Sequence, residues 1–160
     1  MMINVRRALH SDAQNIIDSH VRSIREICFK DYTPEQIEAW AGRKFKPELW
    51  WQTIDRDYVW VVEVNSQVRG FAHLAFMDKD TAEVLGLYLA PEAKGLGAGK
   101  TLFNILRSEA KSQGVKKLQL HATLTAKTFY ETFGFIQTAG LDSVEMRGVD
   151  IPCVPMEAIL

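Results

Sequence analysis

The chain of 160 residues is poor in cysteine, carries no excess of either charge and has no long apolar run. Its two cysteines, Cys28 and Cys153, stand far apart, which excludes a dense disulfide framework and favours a reducing compartment. Neither has metal-ligand spacing, and His10, His20, His73 and His121 do not cluster, so no metal is expected. With 19 Lys and Arg against 20 Asp and Glu, the net charge is −1, which gives no bulk electrostatic case for nucleic acid or an anionic membrane surface. No window approaches the roughly 20 apolar residues of a membrane span. The start, Ile3-Asn4-Val5-Arg6-Arg7, lacks the apolar core of a signal peptide. These absences predict a cytoplasmic protein with neither a membrane nor a nucleic-acid partner. Repeats, linkers and low-complexity tracts are missing too, so residues 1–160 read as one domain, long enough for a substantial core.

What is present is a stretch around which the rest is organised. The apolar run Leu87-Tyr88-Leu89-Ala90 stops at Pro91, then Gly95, Gly97 and Gly99 follow on alternate positions, and then a helical pattern begins. Glycines let the backbone turn tightly and let a ligand approach its amides. A helix start adds unpaired N–H groups and partial positive charge, so the stretch is an anion cradle. Gly99-Lys100-Thr101 has the ending of a P-loop, but the required first glycine falls on Lys94. The dinucleotide fingerprint fails as well, at Lys100 in one frame and at Leu102 in the other.

Around this stretch the pattern is mixed. Ile3 to Ala8 alternates as a strand, and a helix opening at Ser11-Asp12 carries Ala13, Ile16, Ile17, His20, Val21 and Ile24 on one stripe. Thr33-Pro34-Glu35-Gln36 opens a second helix with a capping box. Pro47 begins what reads as a short turn. Tyr58–Val64, Val68–Met77 and Thr81–Ala90 form an antiparallel meander. After the glycines, Leu102, Phe103, Leu106 and Ala110 mark a helix, and Lys117–His121 a strand parallel to the one before the loop. Thr123–Phe133 reads as a helix. A strand-like stretch and a last strand, Val154–Leu160, complete the chain. Pro152 and Pro155 predict that this last strand is short or lies at an edge. The fold class is α+β: a mixed, mostly antiparallel sheet of about seven strands flanked by helices, with a central parallel pair.

Lys94, Gly97 and Gly99 together resemble the pyrophosphate loop of the GNAT superfamily of acetyl-CoA-dependent N-acetyltransferases, [QR]-x-x-G-x-[GA]. Phe129-Tyr130-Glu131-Thr132-Phe133-Gly134-Phe135 is similar to that family's F-Y-x-x-x-G-F signature, and the order of elements matches over nearly the whole chain. The resemblance implies acetyl-CoA as co-substrate and an amine acceptor, either a small molecule or a peptide. A homodimer, common in that family, is compatible with it. It also implies that the parallel strands splay after a bulge, with the pantetheine arm in the gap. Backbone groups of Leu87, Tyr88 and Leu89 would hold that arm, and amides of Lys94, Gly95, Leu96, Gly97, Ala98, Gly99 and Lys100 the pyrophosphate. Two positions depart from the family pattern. Lys94 stands for Arg or Gln, a point charge in place of a planar fork. Thr123 stands for an Asn that contacts the cofactor arm.

Acetyl transfer to an amine needs a held thioester, a neutral amine, an oxyanion donor and a proton for the leaving thiolate. A backbone N–H near Leu89 is the expected oxyanion donor. Tyr130 is the candidate acid, since a phenol stays protonated at neutral pH. Glu83 is the candidate base: strand alternation puts it on the apolar face of Leu85, Leu87 and Leu89, where its pKa would rise. His73, His121 and ordered water are alternatives. Trp40, Phe45, Trp50 and Trp51 either wall the acceptor site or pack the helices. No covalent nucleophile is expected, because Cys28 lies outside the cofactor motifs and Cys153 beside a terminal strand. The competing readings are a catalytically inactive acetyl-CoA sensor and, less well matched, a P-loop nucleotide protein.

Overall fold

The computed structural model describes residues 2–160. The chain runs β1 (Ile3–Arg7), α1 (Ala13–Glu26), α2 (Pro34–Ala41), α3 (Pro47–Arg56), β2 (Tyr58–Val64), β3 (Gln67–Phe76), β4 (Thr81–Leu89), α4 (Ala98–Ser112), β5 (Lys117–Thr123), α5 (Lys127–Glu131), β6 (Ile136–Gln137), β7 (Asp142–Met146) and β8 (Val149–Ile159). The sheet has eight strands in the order β1-β2-β3-β4-β5-β8-β6, with β7 also paired to β8. The α+β class, the mixed sheet and the central parallel pair are as expected. The pair joins Thr81–Val84 of β4 to Lys117–Leu120 of β5.

Two layers of side chains cover the sheet. On one face α4 buries Leu102, Phe103, Leu106 and Ala110 against Leu74, Val84, Leu118 and Leu120. Burying a side chain the size of Phe103 stabilises the fold by roughly 2–3 kcal/mol. On the other face Ile16 of α1 packs against Val59, Val61 and Phe71. Ile24, Cys28, Tyr32 and Trp40 form a neighbouring cluster on that side. The expected capping box opens α2: Gln36 N–H donates to Thr33 Oγ1 at 3.1 Å, and Thr33 N–H to Gln36 Oε1 at 2.9 Å. Such a cap is worth about 1 kcal/mol.

Three expectations need correction. Pro47 starts a ten-residue helix rather than a turn. Proline fits its first position, and Trp50 and Ile54, four apart, pack against the Val59–Phe71 cluster while Leu49 and Trp51 stay exposed. The helix expected over Thr123–Phe133 is a 3-10 turn at Leu124–Ala126 followed by the five residues of α5. Finally, β8 is the longest strand and lies inside the sheet, despite its prolines. The carbonyl of Pro152 accepts from Tyr32 Oη at 2.8 Å, on the side of β8 away from β7, one residue before pairing with β5 begins at Cys153. The carbonyl of Pro155 accepts from Thr138 N at 3.1 Å, on the side where β7 has ended and β6 has not begun. A strand residue points its N and O to the same side, so both missing N–H groups fall where no strand waits for them.

Candidate active site

The site begins with a register error in β4. His73 pairs with Gly86 and Leu74 with Val84, which leaves Leu85 as an extra, bulged residue. A bulge bends its strand and re-aims the residues beyond it. Parallel pairing with β5 ends at Val84–Leu120, and from Gly86 and His121 onward the two strands diverge. The open edges of Leu87–Leu89 and Ala122–Thr123 then face a gap, on the side where a parallel partner would have been.

Below the gap lies the glycine loop. Gly95 and Gly97 have φ of +78° and +76°, and the ideal Cβ of each would meet nothing within 4 Å. Here backbone conformation rather than crowding requires glycine. Gly99 is different: a Cβ there would stand 3.3 Å from Phe129. The amides of residues 95–100 donate to no backbone carbonyl, whereas the Lys94 amide donates to Pro91 O at 3.1 Å. Of the expected phosphate amides, that of Lys94 is therefore already engaged by the 3-10 turn Pro91–Ala93, and Lys94 can contribute only its exposed side chain.

A cavity of about 320 Å³ joins gap and loop. Leu87, Tyr88, Leu89, Lys94, Gly99, Thr123 and Tyr130 all line it, so the structure brings together residues from both sequence motifs. Tyr130 is 5% exposed and set among Phe103, Phe129 and Phe135, with ring centroids 5.2–6.2 Å away. Burial pushes its phenol pKa up, so it holds its proton. Thr123 Oγ1 accepts from Ala126 N at 3.1 Å, capping the short turn, and still has a proton to donate.

Sequence reasoning missed part of the wall. Ser23, Ile27 and Cys28, from the end of α1 and just beyond, also line the cavity, as do Thr125 and Phe129. Cys28 is thus inside the candidate site, although far in sequence from both motifs. Burial raises its thiol pKa, which keeps it in the poorly nucleophilic thiol form. Ser23, a small polar residue buried on α1, was the available signal that this helix faces something other than packed core.

The base candidates separate. The bulge reverses alternation in β4, so Val84, Leu87 and Leu89 pack on the α4 face, while Glu83 points to the opposite face. Glu83 is half-buried, accepts from Gln119 Nε2 at 2.7 Å and lies outside the cavity lining. Its expected place beside Leu87 and Leu89 is therefore corrected, and so is that of Leu85, which is 47% exposed. His73 is buried with its Nε2 2.8 Å from Asp57 Oδ2, and burial lowers its pKa against the opposing pull of Asp57. His121 lines a small cleft at the upper end of the gap together with Leu87, Tyr88, Thr123 and Tyr130, its Nε2 3.4 Å from Asp142 Oδ2.

Of the aromatic candidates, Trp40 is buried against Tyr32 and Tyr88. Trp50 packs on Phe71 and His73, and Trp51 stacks on His10 at the surface. No helix among the described residues is long and apolar enough to cross a membrane, and none of their His, Cys, Asp and Glu side chains gather in threes as a metal site would need.

Comparison with known proteins agrees with this geometry. The family described as acetyltransferase (GNAT) domain matches residues 28–160. The Escherichia coli protein called uncharacterized N-acetyltransferase YafP is 29% identical over 147 residues, covering 91% of this chain and 89% of that protein. Among solved structures, a GCN5-related N-acetyltransferase from Rhodopseudomonas palustris superposes with a TM-score of 0.89 at 24% identity, covering 100% of this chain and 97% of the other. The PaiA N-acetyltransferase from Thermoplasma acidophilum, solved in complex with coenzyme A, gives 0.77 at 23% identity, with 100% of both chains covered.

Proposed function

Since the chain belongs to the GNAT acetyltransferase family, we propose that it moves an acetyl group from acetyl-CoA to a primary amine by direct attack within a ternary complex. The observation that carries this is the single cavity in which the open edge of β4, the Lys94 side chain and the Tyr130 ring meet. Main-chain groups of Leu87–Leu89 pair with the pantetheine arm as a strand would. The free amides of residues 95–100, at the positive end of α4, take the pyrophosphate, and Lys94 adds a mobile charge. A backbone N–H near Leu89 stabilises the oxyanion. The amine nitrogen attacks the thioester carbonyl, the C–S bond breaks, and Tyr130 gives its proton to the departing thiolate sulfur. His121, the candidate base that reaches the cleft, takes the proton that the amine loses. Cys28 forms no acyl intermediate, because burial keeps it a thiol.

Tyr130→Phe tests the reading. Turnover, read as free CoA thiol, should fall about 10²-fold or more while acetyl-CoA affinity stays within a factor of about three. Unchanged turnover would remove Tyr130 from the mechanism. A wild-type protein that binds acetyl-CoA but transfers to no amine in a broad library would favour the inactive-sensor reading.

A further inference from the structure

Behind Tyr88, on the sheet face away from α4, an aromatic shell holds a ring nitrogen with no hydrogen-bond partner and a guanidinium with no carboxylate against it. His20, on α1, has a ring centroid 4.3 Å from that of Tyr88, with Trp40, Phe45 and Phe71 between 5.7 and 6.4 Å. Its Nε2 is buried and makes no hydrogen bond, the sole such side-chain atom among the described residues. Either tautomer leaves a donor or an acceptor unsatisfied there, which native interiors rarely tolerate.

Arg43 stands beside it. The half-buried guanidinium lies 4.8 Å from the Phe45 ring centroid, and its Nε donates to Trp40 O at 2.8 Å, near the end of α2. No carboxylate among the described residues forms an ion pair with it. Its charge is felt instead by His20 and Tyr88. The arginines on α1 and α3, by contrast, are all paired. Arg22 pairs with Glu26 and Glu92, Arg25 with Glu38, and Arg56 with Asp57. A guanidinium fork held over an aromatic ring, with its ends unused, is suited to a planar anion.

Tyr88 connects this shell to the cavity. It lines the cavity, and its ring packs on His20 and Trp40. We propose that Arg43 and His20 form the recognition end of the acceptor site and that the acceptor is a carboxylate-bearing amine, an amino acid with an aromatic or large apolar side chain. The carboxylate meets Arg43, His20 Nε2 completes a hydrogen bond to it, the apolar body lies among Trp40, Phe45 and Tyr88, and the amine reaches toward Leu87 and Tyr130. This rests on the acetyltransferase reading for the identity of the amine's partner, but not for the recognition of the carboxylate.

The test compares L-tryptophan, L-phenylalanine and L-leucine with their carboxamides, which keep the amine and shape but lose the charge. Equilibrium binding in the presence of CoA and transfer from acetyl-CoA are both read, with tryptamine and spermidine as carboxylate-free amines. Each free acid should bind at least tenfold more tightly than its amide, and transfer should show the same ratio in KM. In Arg43→Gln the ratio should fall to about one, with Arg43→Lys between. Acids and amides bound alike, no acid bound, preference for tryptamine or spermidine, or a ratio that survives in Arg43→Gln would each overturn the proposal. In the last case Arg43 only caps α2. The acid-to-amide ratio in the unaltered protein decides even if both variants fail to fold. Acids that bind with the expected ratio but receive no acetyl group would overturn the transfer reading and leave the recognition site standing.

Discussion

At the scale of single residues, His20 couples stability to pH. Burial first, and the Arg43 charge second, lower its pKa to about 3, from an ordinary value near 6.5. The unfolded chain therefore binds a proton at this site between about pH 6.5 and 3 that the folded chain refuses. Stability must rise with pH through that window and fall as pH drops below 6.5. At pH 5 the loss relative to neutral pH should be about 2 kcal/mol. His73, also lowered by burial, acts in the same sense. Asp12 and Asp57, held low by Arg6 and by Arg56 with His73 despite their burial, lose stability only near and below their ordinary range around pH 4. Denaturant melts of wild type and His20→Phe at pH 7 and pH 5 separate these groups. The variant should retain more of its pH 7 stability at pH 5. An equal loss in both would mean that His20 does not refuse the proton.

At the scale of elements, β4 is what its bulge makes it. Leu85 is half-exposed and belongs to no core cluster, so Leu85→Ala should change stability by less than about 1 kcal/mol and leave acetyl-CoA binding intact. Deleting Leu85 is another matter. With the extra residue gone, alternation runs unbroken, and either Ala82 and Val84 or Leu87 and Leu89 must leave the α4 face. Pairing with β5 could also extend past Val84–Leu120 and close the gap. The deletion should therefore lower the denaturant midpoint sharply and abolish acetyl-CoA binding in whatever protein still folds. Side by side, the two variants show whether the position or the side chain matters. Binding that survived the deletion would mean that the splay does not depend on the bulge.

At the scale of the molecule, the site is assembled from pieces that differ in how openly the sequence displays them. The glycine loop, the capping box of Thr33 and Gln36, and the parallel pair were legible because each is set by neighbours within a few residues or by the short crossover that joins them. Tyr130 was legible as part of a motif, and its burial followed from the apolar spacing it shares with Ala126, Phe129 and Phe133. The direction of Glu83 was hidden, since alternation holds only while register does, and the slip at Leu85 is decided by pairing with β3. Cys28 and Ser23 were hidden because only the docking of α1 over the sheet brings them to β4. The interior place of β8 was masked by two prolines whose missing donors face unpaired edges. This dispersed construction has a thermodynamic consequence. Cavity walls from α1, β4, α4 and the β5–α5 junction exist together only in the folded chain, so a ligand that fills the cavity binds the native state alone. At 100 times its dissociation constant, acetyl-CoA should add about 2.7 kcal/mol, a rise of roughly 5–10 °C in Tm for a chain of this size. ATP–Mg²⁺ at the same concentration should add far less, because the loop has Lys94 where a P-loop needs its first glycine. A larger shift with ATP–Mg²⁺ than with acetyl-CoA would overturn the assignment of the cavity, since both ligands offer phosphates to the loop but only one has an arm to lay along Leu87–Leu89.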